Sequence, residues 1–335
     1  MKRYLVTGGA GFIGSNFIRY IFGNNKLTGN ENINIVNIDK LTYAGNLENV
    51  KKLEKKYNYT FIQEDICNRN SIRDIFNFYK PDYVINFAAE SHVDRSIESS
   101  TEFIKTNVLG TQVLLECSLN SEIEKFIQIS TDEVYGSIEN GFFSEESPLK
   151  PNNPYAASKA SGDLLVQSFY NTYGLPSIIT RSSNNYGPCQ HKEKLIPKVI
   201  TNCLERRKIP VYGNGINVRD WIYVTDHCYG INKILNKGAI GEVYNISSND
   251  EKRNIDIVRI IINKTKEILQ NKGLDSNGIS EELIEFVEDR KGHDKRYGIK
   301  ATKLIETLGW NNSIGLEWGL EKTINWYIDE GLVVE

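Results

Sequence analysis

With 335 residues the chain is long enough for one large domain or two ordinary ones, and 40% hydrophobic with 25% charged residues is the balance of a soluble globular enzyme. Its 40 basic and 43 acidic side chains leave a net charge of −3, which gives no support for a nucleic-acid or membrane surface, and its apolar runs fall far short of a membrane span. Met1-Lys2-Arg3 leads straight into a strand with no room for a signal peptide, and the five scattered cysteines lack C-x-x-C spacing, so the expectation is a cytoplasmic chain with free thiols, no disulfide framework and no metal site.

The first half alternates strand and helix patterns. Residues 4–7 form a short apolar strand, followed by a glycine-rich loop and an amphipathic stretch over 15–22. Strands are expected at 33–38, 59–63, 83–87, 125–130 and 177–181, and helices at 71–79, 101–119 and 154–173. Pro154 stands where a first-turn proline is tolerated. Beyond about residue 183 the pattern breaks: a polar loop at 184–190, a helix over 192–207, short strand-like pieces near Tyr212, a buried strand at 243–246, helices at 255–270 and 316–328, and a loop at 271–280. The expected fold class is α/β, a doubly wound parallel sheet covered on both faces, with a smaller mixed α/β unit closing a cleft at its edge. The boundary falls at 183: residues 1–183 bind a dinucleotide, segments near 220–246 return to that unit, and 184–335 mainly bind the substrate.

Gly8, Gly11 and Gly14 form Gly-x-x-Gly-x-x-Gly between a strand and a helix. Glycine there lets the backbone turn tightly and approach a pyrophosphate, which the helix N-terminus then favours; this is the Rossmann-like arrangement. Asp39, ending the second strand, suits an adenosine ribose and repels a 2′-phosphate, arguing for NAD; a turn or helix-cap aspartate is the other reading. Asp65 and Ile66 follow the third strand and can reach an adenine, although their spacing is not diagnostic.

Tyr155 and Lys159 are one helical turn apart and share a face. A free phenol titrates near about 10, and a neighbouring ammonium is expected to lower that value enough to make Tyr155 a base. Thr131 stands at the C-terminal end of a strand, where open α/β sheets bind ligands; its hydroxyl serves either the substrate oxygen or a local turn. Asp132 and Glu133 follow directly. Two carboxylates in different environments act as acid and base on neighbouring carbons, so alcohol oxidation at this spot is expected to be followed by loss of water.

These residues, with the strings at 7–16, 41–46, 88–96, 131–136, 155–159, 183–188, 193–197, Arg219-Asp220-Trp221 and Gly292-His293-Asp294, resemble the extended short-chain dehydrogenase/reductase family and, within it, the dTDP-glucose 4,6-dehydratases, over nearly the whole length. The resemblance implies a lyase using bound NAD: Tyr155 takes the 4-hydroxyl proton, Glu133 the C5 proton, and Asp132 protonates the departing C6 hydroxyl. It adds Phe12, Ile13, Lys40, Thr42, Ala88, Ala89, Thr106 and Asn185 to the cofactor contacts. For the nucleotide sugar it implies Ser91, Thr131, Asn184, Lys194, Leu195, Ile196, Pro197, Lys198, Val199, Pro210, Val211, Tyr212, Arg219, Asn254, Asp289, Arg290 and His293. Arg219 suits a diphosphate, with a structural ion pair beside Trp221 as the other reading. His92 and His293 read as hydrogen-bonding pocket residues. A homodimer through the helices at 106–119 and 154–173, and a step toward rhamnose or another deoxysugar, are also implied. Cys189, His191-Lys192, Lys291 and a long 271–280 segment depart from the family pattern on the nucleotide-sugar side, leaving thymine against uracil open. The rivals are a UDP-glucose 4,6-dehydratase, a UDP-sugar epimerase or decarboxylase, which needs no acid and base at 132 and 133, and a non-catalytic NAD sensor, which has no need of Tyr155 and Lys159.

Overall fold

The computed structural model describes residues 1–23, 33–53, 55–56 and 58–331. Its strands, in chain order, are β1 (Lys2–Thr7), β2 (Ile33–Asp39), β3 (Tyr59–Gln63), β4 (Tyr83–Asn86), β5 (Lys125–Thr131) and β6 (Ser177–Ser182). They continue with β7 (Asn184–Tyr186), β8 (Ile209–Tyr212), β9 (Val218–Tyr223), β10 (Val243–Ile246), β11 (Glu251–Arg253) and β12 (Ile284–Val287). Seven of them form one sheet in the order β10-β6-β5-β4-β1-β2-β3, every pair parallel. Alternation buries both faces. Tyr4 and Val6 of β1 join Phe17, Ile18 and Ile21 in one core, while Leu5 joins Ile72, Phe76 and Leu114 in the other. Strand order reverses at β1, flanked by β2 on one side and β4 on the other. The crevice at that reversal, beyond the C-terminal ends of the strands, is where a doubly wound sheet takes its ligand.

A third apolar core, with Ile196, Val199, Ile200, Ile257, Leu320 and Ile324, lies among the later elements, beside a β11-β9-β7 sheet and a β12-β8 pair. The chain nonetheless returns to the first sheet. β10 extends it beyond β6, and the helix Val224–Lys237 packs Ile231, Ile234 and Leu235 into the core shared with Phe17 and Ile21.

Three local readings change. Residues 184–186, expected in a loop, form β7 against Trp221–Tyr223; two asparagines in three residues hide the strand, and its ladder is supplied by a distant partner. The helix Val224–Lys237 was not anticipated, because Gly230 and two asparagines mask an apolar spacing at 224, 228, 231 and 235. The helix expected over 101–119 is interrupted by a π-helical stretch, Lys105–Gly110. There Asn107 accepts from the Glu90 amide (3.0 Å) and donates to its carbonyl (3.0 Å) and to Ser158 (2.8 Å), and Gly110 presses so closely on Ile66 that a Cβ would lie 2.5 Å from Ile66 Cδ1. No helix among the described residues is long and apolar enough to cross a membrane, and no cluster of metal-ligating side chains occurs among them.

Candidate active site

The first cleft opens at the ends of β1, β2 and β4. Gly8 has φ +68°, and a Cβ there would lie 2.6 Å from the Ala88 amide nitrogen; one on Gly14 would lie 2.4 Å from the Gly8 carbonyl oxygen. The loop thus brings bare backbone to the start of the helix Phe12–Gly23, whose first-turn amides face outward for an anion. Asp39 accepts from the amides of Ala10 (2.9 Å) and Leu41 (2.8 Å), so it clips the glycine loop to the end of β2 as well as lining the cleft. Burial raises its pKa, and those amides oppose the rise. Lys40 pairs with Asp65 at 2.8 Å on the same wall. Phe12, Ile13, Thr42, Ile66, Ala88, Ala89, Ser91, Thr106, Tyr155 and Lys159 complete it. Open backbone at a helix N-terminus, a carboxylate at the end of β2 and a long apolar floor fit a dinucleotide such as NAD.

At the inner end, β5 delivers Thr131 into a single 3₁₀ turn, Asp132–Tyr135. Asn153 caps the helix Pro154–Tyr173, accepting from the Ala156 amide at 2.8 Å, and its own amide donates to Glu133 Oε2 at 3.3 Å. The cap therefore fixes Tyr155 in the first turn and ties it to the neighbouring carboxylate. Thr131 accepts from the Glu133 amide (3.3 Å), donates to Asp132 Oδ1 (3.3 Å) and hydrogen-bonds Tyr155, so it is both a turn residue and a contact of the Tyr155 hydroxyl.

Asp132 is 2% exposed, and its Oδ2 has no partner. Desolvation first, and the Glu133 charge second, push its carboxyl well above the ordinary value, which favours the protonated form. Lys159 departs from expectation. Burial pushes it down to about 8, and its ammonium donates to the Ile129 carbonyl at 2.6 Å. Tyr155 is held above the ordinary phenol value, by burial first and by the Glu133 charge second, with the Thr131 hydrogen bond opposing. The protein's own groups thus favour the neutral phenol of Tyr155.

A second cleft meets the first along Gln190, Glu193 and Lys194 and is walled by Glu133, Asn184, Asn185, Leu195, Ile196, Lys198, Pro210, Val211, Tyr212, Arg219, Asn254, Arg290 and His293. Arg219 is 3% exposed and bonds only backbone carbonyls, of Val218 (2.7 Å), Asp294 (2.9 Å) and Lys295 (3.4 Å), with its guanidinium 4.2 Å from the centre of the Tyr297 ring. Among the described residues no carboxylate lies within ion-pair distance of it; Asp220, its neighbour, is instead occupied by Ser247, Ser248 and the Asp250 amide. A buried cation without a counter-charge suits a diphosphate. Asn184 Oδ1, Glu193 Oε1, Asn254 Oδ1, Arg290 Nε and His293 Nε2 are buried on this wall without hydrogen-bond partners, as expected of a site shaped for a polar ligand. Burial pushes His293 down to about 4, so its ring is neutral while Nδ1 meets Asp289 Oδ1 at 2.6 Å.

Several expected contacts lie elsewhere. Asn185 lines the second cleft instead of the first. Val199 points into the C-terminal apolar core, because the turn of helix that presents Leu195 and Lys198 outward sends it inward, and Pro197 is buried off both walls. Asp289 lines neither cleft and instead meets His293 Nδ1. The 271–280 segment meets Arg206, which donates to the carbonyls of Asp275 and Asn277, and lines neither cleft. Residues to which the sequence assigned no role include Asn153 and Tyr297, and Glu90, Glu193 and Asp294, which entered only as members of matching strings. They stand on loops or caps, where only the folded chain shows what they touch.

Residues 5–323 match the family described as GDP-mannose 4,6 dehydratase. The low-salt glycan biosynthesis protein Agl12 of Haloferax volcanii is 48% identical over 326 residues, covering 97% of this chain and 98% of its own. A dTDP-glucose 4,6-dehydratase of Neisseria meningitidis serogroup B is 46% identical over 342 residues, covering 98% of this chain and 94% of its own. Among solved structures, the dTDP-glucose 4,6-dehydratase DesIV of Streptomyces venezuelae, with NAD and dTDP bound, superposes with a TM-score of 0.90 at 41% identity and covers 99% of both chains. The chain belongs to the nucleotide-sugar 4,6-dehydratase family and, within it, to the dTDP-glucose 4,6-dehydratases.

Proposed function

We propose that this chain is an NAD-dependent hydro-lyase that converts dTDP-glucose to dTDP-4-keto-6-deoxyglucose and water. The observation that carries the reading is the pair beside Tyr155: Asp132, sealed from water with a raised carboxyl, and Glu133, on the wall of the second cleft. An epimerase on the same fold has no use for that pair.

When bound, NAD+ supplies the hydride acceptor and donor, and a positive charge that favours the Tyr155 phenolate. Tyr155 takes the proton of the sugar 4-hydroxyl while Thr131 holds the same oxygen. The 4-ketone acidifies the C5 proton, which Glu133 removes. Asp132 protonates the C6 hydroxyl, and it leaves as water. Glu133, once its proton has exchanged with solvent, reprotonates C5, and the proton retained by Tyr155 balances the one given up by Asp132. Lys159 fixes the helix face to β5 through Ile129 and adds positive charge. Gly8, Gly11 and Gly14 would hold the dinucleotide phosphates, and Arg219 the sugar-nucleotide diphosphate.

Incubating purified protein with dTDP-glucose and UDP-glucose side by side tests the reading. Loss of one water, faster from dTDP-glucose, is expected; an unchanged mass with inversion at C4 would replace it with an epimerase. Arg219→Ala should weaken dTDP binding, measured by calorimetry, by about 1.5–3 kcal/mol, the range for a hydrogen-bonded charge.

The same proposal includes a homodimer. Ile104, Leu109 and Leu164, 49%, 41% and 55% exposed, stand on adjoining helical segments, Thr101–Ile104, Lys105–Gly110 and Pro154–Tyr173, and form an apolar face that a second copy can cover. Leu164→Glu is expected to yield a folded monomer by light scattering; an unchanged mass relative to a dimeric parent would remove this face from the interface. A cytoplasmic location belongs to the proposal too, since dinucleotide and sugar nucleotide are both charged molecules that do not cross a bilayer unaided.

A further inference from the structure

Tyr297 plays no part in the steps above, yet it is 2% exposed and meets two carboxylates at once. Its hydroxyl lies 3.2 Å from Glu133 Oε2 and 2.8 Å from Asp294 Oδ2. One phenolic proton cannot serve both fully, and the ordinary phenol is kept neutral here, burial raising its pKa with the Glu133 charge next. Asp294 is itself held. Its Oδ1 accepts from Asn152, and its carbonyl accepts from Arg219 Nη2 (2.9 Å) and Asn217 Nδ2 (3.2 Å). The segment carrying Tyr297 is pinned on both sides. Val218 and Ile138 donate to the carbonyls of Lys295 (2.8 Å) and Arg296 (3.1 Å), Phe143 donates to Gly298 (2.7 Å), and Arg296 bonds both oxygens of Glu251 (2.7 and 3.0 Å).

Glu133 needs such a hold. Asp132 and Tyr155 face it from its own turn and from the adjoining helix, Lys194 and Arg219 from the walls of the second cleft, and Tyr297 from the pinned segment. Of its side-chain partners, Asn153 bonds it only at 3.3 Å. Buried Arg219 and half-buried Lys194, both within electrostatic reach, would draw a loosely held carboxylate into an ion pair, away from any substrate proton.

We propose that Tyr297, anchored by Asp294, is the positioning residue for Glu133, keeping this carboxylate aimed at the substrate instead of paired with Arg219 or Lys194. This inference rests on Glu133 being the base that removes the C5 proton. It makes the base part of one rigid construction with the wall that carries Arg219 and His293, so the orientation of Glu133 and the seat of the nucleotide are built by the same segment.

The test is Tyr297→Phe, which keeps the ring under Arg219 and removes only the hydroxyl. Exchange of the C5 proton with deuterated water and kcat should fall by about 10²-fold, the cost of misplacing a reacting group, while KM changes by no more than about threefold. Reduction of bound cofactor in a single turnover should continue, so its absorbance should accumulate. Asp294→Asn, which keeps the hydroxyl and weakens its anchor, should shift the partition in the same direction. dTDP affinity reports the integrity of the fold in both variants. Parental C5 exchange in Tyr297→Phe, or equal losses in cofactor reduction and C5 exchange in either variant, would overturn the inference. Absence of water loss in the parent protein would instead remove the proposed function on which it stands.

Discussion

Tyr155→Phe is expected to fold, to bind NAD and dTDP as the parent does, and to lose turnover by about 10²- to 10⁴-fold, the range for removing a positioned acid or base. The phenol ring packs edge-on against Phe103 at 6.4 Å between centroids, and that contact survives the substitution. Only the hydroxyl goes, and with it the group that accepts the 4-hydroxyl proton. Because water loss depends on the 4-ketone to acidify C5, oxidation and elimination should fail together. Stopped-flow absorbance should show no reduced cofactor on mixing with dTDP-glucose. Rapid cofactor reduction in this variant would mean that another base serves C4. The Thr131 hydroxyl would then be the first to examine, since it already bonds Tyr155 and Asp132.

The second large effect separates the two halves of the reaction. Asp132→Asn combined with Glu133→Gln preserves size and hydrogen-bonding capacity but removes both the proton donor and the proton acceptor. In the proposed steps neither carboxyl takes part in oxidation at C4, so reduced cofactor should form and persist. Water loss should fall by about 10⁴-fold or more, as two acid–base contributions are removed. Asp132→Asn also replaces a buried acid whose Oδ2 lacks a partner, so the variant is not expected to lose stability. Product mass and cofactor absorbance in one experiment decide the matter. Dehydration at the parental rate would show that Asp132 and Glu133 are bystanders.

Much of this is legible in the sequence, for identifiable reasons. Parallel strands buried on both faces read as short apolar runs, so β1 to β6 announce themselves. The glycine loop does so too, because only glycine meets the Ala88 backbone as Gly8 does. Spacing places Tyr155 and Lys159 on one helix face. Spacing does not give their electrostatics. The reading that Lys159 lowers the Tyr155 pKa omitted desolvation, which at this depth raises the phenol and lowers the amine. Long-range polar partners are hidden as well. Tyr297 is far from Glu133 in sequence, and nothing in a tyrosine on a loop betrays a carboxylate across the cleft. Asn153 looks like an ordinary helix cap until its amide is found on Glu133. The helix Val224–Lys237 was masked by residues of poor helix propensity, and tertiary packing against Phe17 and Ile21 outweighs that propensity. The 271–280 segment warns against reading a departure in length as a change in specificity, since it contacts Arg206 and neither cleft.

The central claim is that one site oxidises C4, expels the C6 hydroxyl and delivers the same hydride to C6. dTDP-glucose carrying deuterium at C4 tests it most directly, with the product resolved by mass spectrometry and proton NMR. The expected product is one water lighter, with the deuterium on the new C6 methyl group and a proton from solvent at C5. Deuterium retained at C4 with no loss of water would contradict it, as would deuterium lost to solvent.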